Sequence, residues 1–198
     1  VYSVALQSTV NGIGNWTAAT PIDDIPMKYG GQAWPKNWYE GYTGINTLRR
    51  AVEQSINACA VNTWMQLDPK MSVDFLVNMG VTTVVEYGDV NDVNAAALAL
   101  GGMTKGISPL EMTAAFGTFG RGGSYIEPVC YTRVENRNGD VLLEKVPITR
   151  TVMDESVASL MTNIMQSTVT NGIASGARIA SQPVAGKTGT TSERHNIW

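Results

Sequence analysis

Histidine and cysteine are almost missing from this 198-residue sequence: His195 is the only histidine, and Cys59 and Cys130 are the only cysteines. A Ser-His-Asp triad would have to rely on His195, and no Gly-x-Ser-x-Gly elbow is present. A hydrolase or acyltransferase built on this sequence therefore needs a base other than histidine. The two cysteines have no Cys-x-x-Cys spacing and no clustered ligands, which argues against structural zinc. They could pair, but buried free thiols are the simpler reading. Charge is also scarce, at 16% of residues, with 14 basic against 17 acidic groups and a net charge of −3. No basic stripe is left to follow a phosphate backbone, so nucleic acid is not an expected partner. Long apolar runs are absent as well. Val1 to Ile22 carries no charge, yet Gln, Ser, Thr, Asn and Gly interrupt it, so it is not a membrane span. No basic-then-apolar leader is present. Val1 at one end and Ile197-Trp198 at the other read as cut ends of a longer chain.

What is present suits one ordinary globular domain: 43% hydrophobic residues and no repeat or low-complexity segment. Tyr2 to Thr9 reads as the end of a helix. Asn15 to Gly44 lacks periodicity but holds three of the five tryptophans, the composition of a long irregular loop that either lines a groove or is pinned by its aromatics. Thr47 is a plausible N-cap for a helix over Leu48 to Gln54, and a second helix follows over Ala58 to Leu67, with Asn57 a possible cap. Further helices are expected over about Ser72 to Met79, stopped by Gly80, and over Ala95 to Leu100. Ser108-Pro109-Leu110-Glu111 gives the clearest start, with Ser108 as N-cap, Pro109 first in the helix and Glu111 closing a capping box. Tyr131 to Asn136 and Val141 to Glu144 flank Asn138-Gly139, a hairpin signal. Asp154 is expected to cap a helix from Glu155 to about Thr168, burying Val157, Leu160, Met161, Ile164 and Met165. Pro183 to Thr191 reads as a strand. The class is mixed helix and antiparallel sheet, α+β.

Two short motifs carry chemistry. Ser55-Ile56-Asn57 is weak alone, because 12 Ser and 14 Asn make about one Ser-x-Asn expected by chance. Lys187-Thr188-Gly189-Thr190 gathers a cation, two hydroxyls and a glycine on the expected strand, where Lys187 and Gly189 would share one face and Thr188 and Thr190 the other. Gly189 would let a ligand approach the backbone. On spacing alone, Lys187 fits a solvated edge-strand cation as well as a site residue.

Ser-x-Asn followed far downstream by Lys-Thr-Gly-Thr resembles the serine penicillin-recognising enzymes. Gly101-Gly102-Met103-Thr104-Lys105-Gly106-Ile107-Ser108-Pro109-Leu110-Glu111-Met112-Thr113-Ala114-Ala115-Phe116, then Gly122-Gly123 and Pro128, narrows the resemblance to the transpeptidase domain of bifunctional (class A) penicillin-binding proteins. Ile22-Asp23-Asp24, Tyr29-Gly30-Gly31 and Leu48-Arg49-Arg50-Ala51 extend it, so that it covers essentially all 198 residues. The long middle stretch disfavours a monofunctional (class B) transpeptidase or a β-lactamase. One motif of the family is missing: none of the 12 serines is followed three residues later by lysine, so the Ser-x-x-Lys nucleophile has no counterpart here. The resemblance implies that residues 1–198 are the C-terminal part of a transpeptidase domain, incomplete at both ends, inactive alone. The fold implied is the penicillin-binding transpeptidase and serine β-lactamase type, an antiparallel sheet flanked by helices.

The same resemblance implies roles. The intact enzyme's serine would attack the carbonyl of a D-Ala-D-Ala stem peptide and form an acyl-enzyme, as it would with β-lactams. Ser55 would pass a proton to the leaving amine, Asn57 would bind the substrate's backbone amide, and Lys187 would keep the site positive. Thr188 and Thr190 would hold the substrate carboxylate, with Gly189 between them, and the Thr190 N–H would supply one oxyanion-hole donor. No metal or organic cofactor is implied. The parent would be extracytoplasmic and membrane-anchored, with an N-terminal glycosyltransferase domain. The rival reading is a catalytically silent module that kept the cleft and lost the nucleophile.

Overall fold

The computed structural model describes residues 1–7, 16–29 and 31–189. In chain order these form α1 (Tyr2–Gln7), β1 (Pro21–Asp24), β2 (Met27–Tyr29), β3 (Gln32–Trp34), β4 (Gly44–Thr47), α2 (Leu48–Glu53), α3 (Asn57–Trp64), α4 (Pro69–Asn78), α5 (Ala95–Leu98) and α6 (Pro109–Gly120). Then follow β5 (Ser124–Ile126), β6 (Arg133–Glu135), β7 (Val141–Glu144), β8 (Thr149–Thr151) and the long α7 (Glu155–Thr170). Among the described residues the strands pair in four antiparallel couples, β1 with β4, β2 with β3, β5 with β8 and β6 with β7. The mixed α+β class expected from the sequence is the one observed. No described helix is long and apolar enough to cross a membrane.

The core forms where α7 meets α2, α6 and α1. Val157, Met161, Ile164 and Met165 are buried along one face of α7, as their helical spacing requires, with Leu160 packed at its margin. Val157, Met161 and Ile164 close over Leu48, Ala51 and Val52 of α2 and over Ile22, Ile56 and Cys59. Leu48 and Ile164 are fully enclosed, and each such side chain contributes about 2–3 kcal/mol through burial.

Several helix ends follow the expected chemistry. Ser108 Oγ accepts from Glu111 N while the Glu111 carboxylate accepts from Ser108 N and Oγ, completing the capping box. The same carboxylate also accepts from Thr82 N and Oγ1, and these hydrogen bonds hold its pKa down at about 2. The α4 helix begins earlier than its apolar pattern suggests, because Asp68 caps it and Pro69 opens it. Asp154 sits at the N-cap of α7 but its side chain makes no capping bond; its N–H donates to Gln7 Oε1 instead. The β6–β7 hairpin forms around Asn138-Gly139 as expected, with a bulge at Val134/Glu135.

Three expectations are corrected. The stretch from Asn15 to Gly44 is not uniformly irregular, since β1, β2 and β3 lie in it. These strands are only 3–4 residues long, and β1 buries Asp24 beside Ile22, so a carboxylate occupies an inward position that a hydrophobic pattern would not reveal. Of the strand expected over Pro183 to Thr191, residues 183–189 form none, since no described segment pairs with them and Gly186 bonds to α7 instead; Thr190 and Thr191 lie outside the described residues. Both cysteines are free: Cys59 is buried, but Cys130 is exposed, so the buried-thiol reading holds for one of the two.

Gly123, between α6 and β5, has φ +90°, and a Cβ there would lie 2.0 Å from the Met153 carbonyl oxygen. Gly123→Ala is expected to destabilise the fold by about 2 kcal/mol or more, as strain and overpacking add. Urea unfolding of the two proteins checks this, and equal midpoints would refute it.

Candidate functional site

Ser55 and Lys187, 132 residues apart in sequence, meet in space: Lys187 Nζ donates to Ser55 Oγ at 2.6 Å and to Thr188 O at 2.8 Å.

Ser55 closes α2. The helix opens at Thr47, whose Oγ1 accepts from Arg50 N. It ends with Ser55 N donating to Val52 O and Ile56 N donating to Ala51 O, the paired bonds of a Schellman stop. The residue at the left-handed position of such a stop is usually glycine; here it is Ser55, at φ 50°. Among the described residues it is the only non-glycine with positive φ. The left-handed backbone carries a cost of about 1–2 kcal/mol in any residue with a Cβ, and retaining a hydroxyl there points to use of that hydroxyl.

Asn57 then begins α3. It is the first helical residue rather than the cap; Ile56 occupies the cap position without a side-chain bond. The missing cap comes from outside the helix, because Ala58 N donates to Asn37 Oδ1 at 3.3 Å. Asn57 Nδ2 donates to Lys36 O at 2.8 Å, and Trp38 Nε1 donates to Gln54 O at 2.6 Å. Residues 36–38 thus grip the Ser55 turn on both flanks. This loop is in turn anchored on Asp24, which has no solvent exposure. Its carboxylate accepts from Asn37 Nδ2, Tyr39 OH, Thr43 N and Thr43 Oγ1 at 2.6–2.8 Å. Burial pushes the Asp24 pKa up, but the hydrogen bonds from Tyr39, Asn37 and Thr43 outweigh it and hold the acid below its usual range.

Lys187 is placed by the C-terminal half of α7. Gly186 N donates to Met165 O at 3.2 Å, and Thr168 Oγ1 donates back to Gly186 O. The same end of α7 fixes α2. Arg49 reaches Asn163 Oδ1 and Ser167 Oγ, and Ile173 N donates to Glu53 O. Gly172 makes this junction possible, since a Cβ there would fall 2.4 Å from Glu53 O and 2.8 Å from Thr168 O. One helix therefore sets the distance between the two motifs. Burial pushes the Lys187 amine down to about 8, so the ammonium predominates at neutral pH and the neutral amine is within easy reach. A neutral amine can accept the Ser55 hydroxyl proton, and the ammonium can return one.

Thr188 and Gly189 follow Lys187 directly, whereas Thr190 and His195 lie outside the described residues. Among the described residues no group of three His, Cys, Asp or Glu side chains could hold a metal. Cys59 is no nucleophile here: burial, with the charges of Asp24 and Asp23, raises its thiol to about 12. The supporting residues Asn37, Trp38 and Asp24 are not marked by any spacing rule. Their signals in the sequence are the concentration of aromatics in the loop before α2 and, for Asp24, its place in the Ile22-Asp23-Asp24 stretch of the resemblance.

Comparisons with known proteins identify the family and the fold. A family model described as the penicillin binding protein transpeptidase domain matches residues 9–196. Penicillin-binding protein 1A of Clostridium botulinum (strain Hall) is 34% identical over 207 residues, covering 100% of this chain and 24% of the relative. Penicillin-binding protein 1A of Clostridium acetobutylicum is 35% identical over 203 residues, again covering 100% of this chain and 24% of the relative. The chain thus spans about a quarter of the length of these curated relatives. Among solved structures, penicillin-binding protein 1A from Haemophilus influenzae superposes with a TM-score of 0.76 at 21% identity, over 96% of this chain and 33% of that one. The D,D-transpeptidase domain of a peptidoglycan glycosyltransferase from Eggerthella lenta gives 0.75 at 20% identity, over 98% and 52%. At those identities the superpositions establish a shared fold.

Proposed function

The chain belongs to the penicillin-binding protein transpeptidase domain family, and from that premise we propose that it is part of a peptidoglycan D,D-transpeptidase of the bifunctional class. Residues 1–198 would form one portion of that transpeptidase domain. The observation that carries this reading is the 2.6 Å contact between Lys187 Nζ and Ser55 Oγ, which joins the Ser-x-Asn and Lys-Thr-Gly motifs in one place. The nucleophilic serine would come from sequence outside these 198 residues, since no Ser-x-x-Lys occurs within them.

In the proposed reaction that serine attacks the penultimate D-Ala carbonyl of a stem peptide, and the C–N bond to the terminal D-Ala breaks. Ser55 hands its proton to the departing amine and is resupplied, through Lys187, by the proton that the attacking serine gives up. The Asn57 amide is fixed by its bond to Lys36 O, which leaves Oδ1 to accept a substrate N–H. The hydroxyls of Thr188 and Thr190 receive the substrate carboxylate, and the N–H of Thr190 stabilises the oxyanion. A β-lactam follows the same path to a stable acyl-enzyme. The whole protein would act outside the cytoplasm, anchored in the cell membrane beside an N-terminal glycosyltransferase domain.

Labelling with a fluorescent penicillin tests this directly. The full-length gene product is expected to form a covalent adduct on a Ser-x-x-Lys serine, and the 198-residue chain alone is expected to form none. A full-length sequence lacking that serine, with no adduct, would favour a silent binding module. Stoichiometric acylation of the 198-residue chain would show that the nucleophile lies within it.

A further inference from the structure

We propose that Asp24 is a positioning residue for the Ser55–Asn57 turn, acting through the loop of residues 36–43; this rests on the transpeptidase reading above. The turn lacks the two features that would hold it by itself. Its left-handed position is serine rather than glycine, and α3 has no side-chain cap of its own. Three bonds from the loop replace them: Trp38 Nε1 to Gln54 O, Ala58 N to Asn37 Oδ1, and Asn57 Nδ2 to Lys36 O. All three depend on where residues 36–38 sit, and Asp24 determines that.

The shortest route has two bonds. Asn37 donates from Nδ2 to Asp24 Oδ1 at 2.8 Å, while its Oδ1 accepts the first-turn amide of α3. The other carboxylate oxygen gathers Tyr39 OH, Thr43 N and Thr43 Oγ1, closing the far side of the loop. Tyr39 also meets the Trp38 ring edge to face, with centroids 5.3 Å apart, which orients the indole toward Gln54. All four donors are neutral, so the carboxylate charge has no ion pair among them and serves to accept four bonds at once. An amide at this position would have one acceptor oxygen and would set an NH2 against some of these donors. Asp24 lies on β1, whose neighbours Ile22 and Asp23 accept from Cys59 Sγ and Asn62 Nδ2 of α3 through their carbonyls. The carboxylate is therefore fixed relative to the same helix that it helps to start.

The test uses the full-length protein and two kinds of variant. Asn37→Ala removes the direct link. Thr43→Val removes one donor to Asp24, and with it the acceptor of Asn46 Nδ2, at nearly the same shape, and Thr43→Ser restores both. Penicillin acylation per folded molecule is expected to slow by about tenfold in Asn37→Ala, a scale consistent with a misplacement well under 1 Å. Thr43→Val is expected to be slowed less, and Thr43→Ser to return to the parent rate. In the same variants, hydrogen exchange at the Ser55 and Ile56 amides is expected to quicken while the α7 amides keep their protection. Unchanged acylation of folded Asn37→Ala and Thr43→Val, whatever their melting temperatures, would overturn the proposal. Should the parent protein itself fail to react with penicillin, the transpeptidase reading fails, and exchange alone decides: unchanged protection at Ser55 and Ile56 then overturns the positioning role.

Discussion

Lys187→Met is expected to slow penicillin acylation of the full-length protein by about two to four orders of magnitude, the usual scale for losing a positioned proton donor or acceptor, while making the folded domain more stable at pH 7. The two effects share one cause. The amine is partly buried and contacts neutral acceptors, Ser55 Oγ and Thr188 O, and among the described residues no opposite charge pairs with it to offset the loss of hydration. Its pKa falls from 10.5 to about 8. Below pH 8 both folded and unfolded chains carry the proton, and the cost of burying the charge is fully present. Between pH 8 and 10.5 the folded chain has released a proton that the unfolded chain keeps, so stability from this group rises with pH. Methionine removes the cost at every pH. Each tenfold loss of proton affinity on folding corresponds to about 1.4 kcal/mol of that cost. The lost hydrogen bonds to Ser55 and Thr188 take back about 1 kcal/mol each, leaving a net gain of about 1–2 kcal/mol at pH 7. That gain should shrink toward zero and then reverse as pH approaches 10. Denaturant unfolding at pH 7 and pH 9.5 reads this out. A stability difference between variant and parent that does not change with pH would show that Lys187 does not titrate at a lowered pKa.

How much of this can be read from the sequence depends on whether a feature is local. The capping box at Ser108 and Glu111, the hairpin at Asn138-Gly139 and the apolar face of α7 are written within one turn or one hairpin, and all three form. The start of α4 is equally local, in Asp68-Pro69, and an apolar count beginning at Ser72 passes over it. Other features depend on distant partners. Glu111 has the right spacing to cap α6, but no pattern indicates that it also receives Thr82 from 29 residues away. Asp24 belongs to a stretch that carries the family resemblance, but no pattern in the sequence shows that a loop folds over it and supplies four donors. The Val, Thr and Gly around Lys187 suit a strand. A strand also requires a pairing partner, and the described part of this segment instead bonds to α7 through Gly186. The motifs Ser55-Ile56-Asn57 and Lys187-Thr188 are legible as chemistry; that α7 sets their separation, through Gly172 and Thr168, is not.

Ser55 is where the local and distant requirements conflict, and the conflict yields the second large expected effect. As the stop of α2 the position favours glycine; as the partner of Lys187 it requires a hydroxyl. Ser55→Gly relieves a left-handed strain of about 1–2 kcal/mol, against an entropic loss of about 0.5–1 kcal/mol from glycine's freer unfolded chain. The hydrogen bond lost from Lys187 costs about 1 kcal/mol more, so the folded domain is expected to stay within about 1 kcal/mol of the parent. Acylation is expected to fall by about two to three orders of magnitude, since the proton path to the leaving nitrogen is broken. Ser55→Ala separates the two roles. It removes the same hydroxyl, so acylation falls equally, but its Cβ keeps the strain and it should be less stable than Ser55→Gly by about 1 kcal/mol. Equal stability of the two variants would mean that the left-handed turn stores no cost, and full acylation by either would remove Ser55 from the proton path. If both expectations hold, the serine persists at φ 50° because it carries a proton there, at the end of α2 where glycine would be free of strain.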